Sequence, residues 1–109
     1  MVPVAVHLTA QPRPSRDGKT IVMVTGRVRN LTDRPLDTRV HMSDLLVDGV
    51  PWPSWSLAIG NGTIDPRLVE LPSGEEASFS RELDVSSLPP GRHVLVLRVL
   101  GVESNPVPH

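Results

Sequence analysis

The sequence predicts an all-β fold: one antiparallel β-sandwich of about seven to nine strands. Residues 1–109 form a single domain, with the core over about 4–101 and a proline-bearing tail over 102–109. Three observations carry this. Nearly all of the twelve prolines and eight glycines fall between aliphatic runs rather than inside them, as at Asp48-Gly49, Asn61-Gly62 and Pro89-Pro90-Gly91. Such pairs are turn signals, because Gly or Asn supplies positive φ and Pro presets φ to about −65°. The runs between them alternate apolar and polar residues, the period of a half-buried strand. Residues 45–50 alone hint at a helical period, and they are too few for a stable helix.

Taken in order, residues 4–9 put Val4, Val6 and Leu8 on one face of a first strand, and 11–18, with Pro12 and Pro14, form a loop. The clearest strand spans 20–30. Val22, Val24, Gly26 and Val28 share one face, and Arg27 and Arg29 must stay wet on the other, so the valine face is the core face. Residues 31–35 turn, with Asn30, Thr32 and Asp33 placed to bond local backbone. A third strand is expected over 36–42 with Leu36, Val40 and Met42 inward. The next, 43–47, leads into a type I′ hairpin at Asp48-Gly49.

Pro51 and Pro53 each remove a ladder donor, so 52–59 is an edge strand or an excursion. Asn61-Gly62 turns the chain into a strand over 64–71, followed by a turn over 72–76. Ala77, Phe79, Leu83 and Val85 then face inward. Arg81 shares their parity and marks the edge of the sheet. Residues 86–92 form a corner plugged by Leu88, 93–100 is the last long strand, and the tail adds a short edge.

A chain of this size buries roughly two-thirds of the surface its unfolded form exposes, enough to fold without staples. None are present: the sequence has no cysteine, which excludes disulfides, thiolate metal sites and thiol nucleophiles. Net charge is −1, and no basic stripe exists to neutralise phosphates, so nucleic acid is not an expected partner. The longest uniformly apolar stretch, 94–97, is far too short to span a bilayer. The first residues lack the basic and apolar regions of a signal peptide, so the expectation is a cytoplasmically made product.

The run VMVTGRVRN from Val22 to Asn30, LPSGE from Leu71 to Glu75, and LPPGRH from Leu88 to His93 with its following aliphatics together carry a resemblance. Over about residues 20–100 the chain resembles bacterial and phage immunoglobulin-like modules of the phage head-decoration type. More loosely, it is similar to the intracellular proteinase inhibitor family. The resemblance implies an immunoglobulin-like sandwich in which the early V-x-G-x-V-x-N strand faces the late strand across the core. His93 stands where such modules carry a corner tyrosine.

Candidate sites are few. His7, His41, His93 and His109 form no ligand motif and are read as structural, and no metal or cofactor is expected. Asp37, Asp44 and Asp48 lack the dense spacing of a calcium loop. No serine lies in a nucleophile elbow and no carboxylate pair is set up for acid–base work, so no catalytic residue is assigned. Asn30-Leu31-Thr32 and Asn61-Gly62-Thr63 match the glycosylation pattern but are wanted at turns for backbone reasons.

What remains is apolar surface. Of Trp52 and Trp55, three apart, one is expected inside and the other partly exposed, as a hot spot for a protein partner. Val94 and Val96, with Ile21 and Met23, are apolar on faces that should meet water, and Val107 lies in the tail. These seven are the expected partner-binding residues. The expected function is a non-enzymatic module docking on a homo-oligomeric lattice, most concretely a phage capsid decoration protein at the virion surface. The alternative is an inhibitor or accessory domain of a hydrolase, acting through 51–55 or 65–68.

Overall fold

The longest hairpin sets the frame. A computed structural model describes residues 2–53, 55 and 63–109. In it β1 (Val4–Arg16) and β2 (Lys19–Asn30) pair antiparallel from Val4↔Asn30 to Arg16↔Lys19 around the Asp17-Gly18 turn. The strand thus runs well past the first expected break at Gln11. Pro12 and Pro14 are tolerated because β1 is the outermost strand of its sheet, where a missing donor breaks no central ladder. On β2 the expected parity holds: Val22, Val24, Gly26 and Val28 are buried, and Arg27 and Arg29 are exposed.

Seven further strands complete two antiparallel sheets among the described residues: β3 (Asp44–Val47), β4 (Val50–Pro51), β5 (Thr63–Ile64), β6 (Glu76–Asp84), β7 (Val94–Val99), β8 (Val102–Glu103) and β9 (Val107–Pro108). The first sheet has the order β1-β2-β6-β5. The second has the order β4-β3-β7-β8, with β9 also on β7. β8 and β9 are two pieces of one edge strand, since their register on β7 steps by one residue between Arg98↔Glu103 and Leu95↔Val107. A bulge at Ser104 absorbs the extra residue: its Oγ accepts from Leu97 N at 2.9 Å and its own N–H donates to Leu97 O at 2.7 Å. The two sheets pack as a β-sandwich, with the order first-second-sixth-fifth in one layer and fourth-third-seventh-last in the other.

Between the sheets lie Val4, Leu8, Val24, Val28, Leu45, Phe79, Leu83, Leu95, Leu97 and Val99, all buried in one cluster. At Gly26 the layers come closest. A β-carbon there would lie 2.6 Å from Leu97 Cδ2 and 2.8 Å from Phe79 Cζ, so only glycine fits. One lateral opening is closed by Asn105, whose amide mimics a neighbouring peptide. Its Oδ1 accepts from Leu8 N at 2.9 Å and its Nδ2 donates to Leu8 O at 3.1 Å.

Two expected strands do not form as such. Over 36–42, Leu36 makes one antiparallel bridge to Leu71, and Asp37 Oδ1 then accepts from Arg39 N at 2.9 Å. That local bond competes with a ladder. Arg39 turns left-handed (φ 51°) into a 3-10 helix, Val40–Met42, which buries Val40 and leaves Met42 66% exposed instead of inward. Over 64–71, Asp65 caps a second 3-10 helix, Pro66–Val69, with proline in its first turn. That geometry sends Leu68 into the core and Val69 out. The expected Asn61-Gly62 turn and most of the 52–59 segment lie outside the described residues.

Candidate docking surfaces

The two outer faces of the sandwich differ in chemistry. On the first sheet, cross-strand rows read Thr9–Thr25–Ser80 and His7–Arg27–Ser78. Thr25 and Ser80 hydroxyls are 3.1 Å apart, Arg27 Nη2 donates to His7 Nδ1 at 3.0 Å, and Arg13 lies 3.9 Å from Glu82. Ile21 and Met23 sit in this face half-buried, Ile21 between Arg13 and Asp84, Met23 between Gln11 and Glu82. Polar neighbours on both sides isolate them.

On the second sheet the outward parity carries Leu46, itself buried, between half-buried Val96 and exposed Pro51, and Val94 opposite Pro108. Val94 is 43% exposed, whereas Val50, 66% exposed, pairs with core-facing Val47 and so belongs to the other parity, at the rim of the cleft. Val94 and Val96 are therefore neighbours in one apolar row. Ile21 and Met23 belong to the other sheet and point the opposite way, so the four do not make one patch. Of the tryptophans, Trp55 is the core residue at 2% exposure, and half-buried Trp52 packs against the core from the β4 edge. Val107 opposes Leu95 and packs half-buried against the chain's own core.

One end of this second sheet is organised by His93. Asp48 and Gly49 form the expected type I′ turn, with φ 52° and 83°. From that turn Asp48 reaches across to the start of β7: Oδ1 accepts from Val94 N at 2.9 Å and Oδ2 lies 2.6 Å from His93 Nδ1. His93 Nε2 is 2.7 Å from the carbonyl of Pro89, four residues upstream. A corner tyrosine in such sandwiches makes the same upstream bond with its hydroxyl. Here imidazole does it and gains a carboxylate on its other nitrogen. Both ring nitrogens face acceptors, an arrangement that favours the imidazolium, in which both carry protons.

The hydrogen bond to the Asp48 carboxylate is the chief cause raising the His93 pKa above its ordinary 6.5, with that to the Pro89 carbonyl second. The bond to His93, then that to Val94 N, holds Asp48 below its ordinary 3.8. The signs fix a window. The histidine contribution is complete below 6.5 and is lost as pH rises through the raised value. The aspartate contribution is complete above 3.8 and is lost as pH falls through the lowered one. Urea midpoints measured against pH are expected to be highest between these limits, and His93→Gln to remove the alkaline decline.

Beside this pair runs an apolar cleft of about 360 Å³ walled by Val47, Val50, Pro51, Trp52, Leu88 and Pro89. At the opposite end of the sheet a cleft of about 210 Å³ lies among Arg39, Met42, Asp44, Arg98, Leu100 and Gly101. The carboxylates weighed as calcium ligands are dispersed: Asp37 bonds Arg39 N, Asp44 lies 3.4 Å from Arg98, and Asp48 is held by His93.

The sequence reading missed two things. Asp48 does more than turn the chain, and no local signal marks a partner 45 residues away. Leu100-Gly101 is itself a turn, and its signal was present: an apolar-Gly pair with β7 on one side and too few residues for anything but a tight hairpin to β8. Compared with known proteins, the chain matches no family model, no curated protein and no solved structure.

Proposed function

We propose that this chain is a non-enzymatic docking module that seats on a larger homo-oligomeric protein surface, most concretely as a phage capsid decoration protein stabilising the lattice it binds. The observation that carries the reading is the contrast between the two outer faces. The first sheet is a hydroxyl-and-charge surface, and the second presents Val94 and Val96 in an apolar row continuing to Pro51 and Pro108. Such a row marks a protein interface rather than a solvated wall.

The edges support face-on docking. β1 carries Pro12 and Pro14 and is capped at Leu8 by Asn105, β4 ends in Pro51 with Pro53 following, and β9 is flanked by Pro106 and contains Pro108. Strand addition is blocked at each of these edges. A module of this kind acts by mass action, adding its binding free energy to the assembled state.

Co-sedimentation with particles purified from the source tests the reading. The chain is expected to pellet with particles at saturable stoichiometry. Val94→Asp, on an exposed position, is expected to stay folded by circular dichroism and to lose binding at least about tenfold, since it buries an unpaired carboxylate. Unchanged pelleting of Val94→Asp would overturn the assignment of this face.

The rival reading, a hydrolase inhibitor or accessory domain, is favoured by exposed Val50 and the Pro51–Trp52–Pro53 rim of the apolar cleft. The other loop proposed for it is less suited, because Leu68 is spent in the core and Arg67 is paired with Asp65 at 3.0 Å. Binding that survives Val94→Asp but is lost in Val50→Asp would favour this rival.

A further inference from the structure

The chain makes the same tight turn three times: Asp17-Gly18 at φ 52° and 74°, Asp48-Gly49 at 52° and 83°, Leu100-Gly101 at 51° and 77°. Aspartate tolerates the left-handed first position because its short side chain bonds local backbone. Leucine does not, and a bulky residue at positive φ is an outlier. Leu100 is also 37% exposed, so the molecule accepts backbone strain to hold an aliphatic side chain partly in water.

A second left-handed residue, Arg39, lines the same cleft, and Met42 stands beside it, more exposed still. Non-glycine residues held in sparsely populated backbone regions gather where a surface is used. The charges around the cleft are unequal. Asp44 is engaged by Arg98, and Arg39 makes no ion pair among the described residues. The surface is thus two apolar side chains beside a guanidinium that has no ion pair among the described residues.

We propose that this cleft is a second contact site of the module, and that its occupant is an acidic, leucine-bearing segment of a protein partner. The segment's apolar side chain lies on Leu100 and Met42 and its carboxylate on Arg39. The proposal deepens the docking reading by adding a site at the far end of the sheet from Val94, and it needs no particle to be tested.

The probe is a capped peptide of alternating leucine and aspartate, titrated into the isotope-labelled chain, with the leucine–lysine peptide as control. Amide shifts are expected at Arg39, Met42, Arg98, Leu100 and Gly101 for the aspartate peptide alone, fading with added salt. Leu100→Asn is expected to abolish them while its urea midpoint stays level or rises, since asparagine suits the left-handed position. Arg39→Gln is expected to weaken binding about two- to fivefold, the worth of one exposed charge pair. Absent shifts, or equal shifts with the lysine peptide, would overturn the proposal. So would a fall in the midpoint of Leu100→Asn, because Leu100 would then serve the fold. Loss of particle binding in Val94→Asp with peptide binding intact would separate this site from the apolar row.

Discussion

Replacing Trp55 by alanine is expected to cost about 3–5 kcal/mol in urea unfolding, the range for removing a fully enclosed large aromatic. Its indole lies 6.3 Å from the Phe79 ring at 54°, a tilted pairing that aromatic quadrupoles favour. Its Nε1 donates to Ser43 Oγ at 3.0 Å, and that hydroxyl in turn donates to the carbonyl of Val40. The ring thus ties the 3-10 helix Val40–Met42 and the start of β3 to the first sheet through Phe79. Trp55→Phe keeps part of the ring contact and loses the donor, so a cost of about 1–2 kcal/mol is expected. A Trp55→Ala cost below that of Trp55→Phe would show that the indole is not a core element.

Asn30→Ala is expected to lose about 2–4 kcal/mol, read by the same unfolding curve, because one fully buried amide serves four partners. Its Nδ2 donates to the carbonyls of Arg34 at 2.7 Å and Leu71 at 2.8 Å. Its Oδ1 accepts from Thr32 N at 2.8 Å and Thr32 Oγ1 at 2.6 Å. The backbone of the same residue bonds Glu75 O at 3.0 Å and Gly74 N at 2.9 Å. Asn30 therefore joins the end of β2 to the turn before β6, and truncating it removes a buried donor from the Leu71 carbonyl, which keeps only its bond from Leu36 N at 2.9 Å. Asn30→Asp is expected to do no better near neutral pH, since a carboxylate would face two carbonyl oxygens. The glycosylation-like triplet at this position is accordingly a structural clamp whose nitrogen is already in use.

What was legible in the sequence follows from how local its cause is. The strands β2, β6 and β7 could be read because their alternation is a property of neighbouring residues, and buried Val24, Phe79 and Leu97 match it. The Asp48-Gly49 turn could be read for the same reason. The 36–42 and 64–71 segments could not. Their apolar residues fit strand parity, but Asp37 and Asp65 bond backbone two residues on and redirect the chain into 3-10 turns. The length of β1 was hidden because proline reads as a break until the strand is known to be an edge.

The candidate site divides in the same way. Apolar Val94 and Val96 were visible as a violation of the outer-face rule, and so were Ile21 and Met23. Only the sheet order reveals that the two pairs face opposite directions. Arg81 was visible as the misfit among inward residues, and it is half-buried with its Nε buried and unbonded. The His93 corner was half-visible: the LPPGRH run places the ring at the start of β7, and the carboxylate that favours its protonated form comes from another hairpin.

The measurement that bears most directly on the docking face is hydroxyl-radical footprinting of the chain on its particle against the chain alone. Protection concentrated at Val94, Val96 and Met42, with Met23 and Ile21 oxidised as in the free chain, is the predicted result. Protection of Met23 and Ile21 with Val94 and Val96 unchanged would place the partner on the polar sheet and contradict the account.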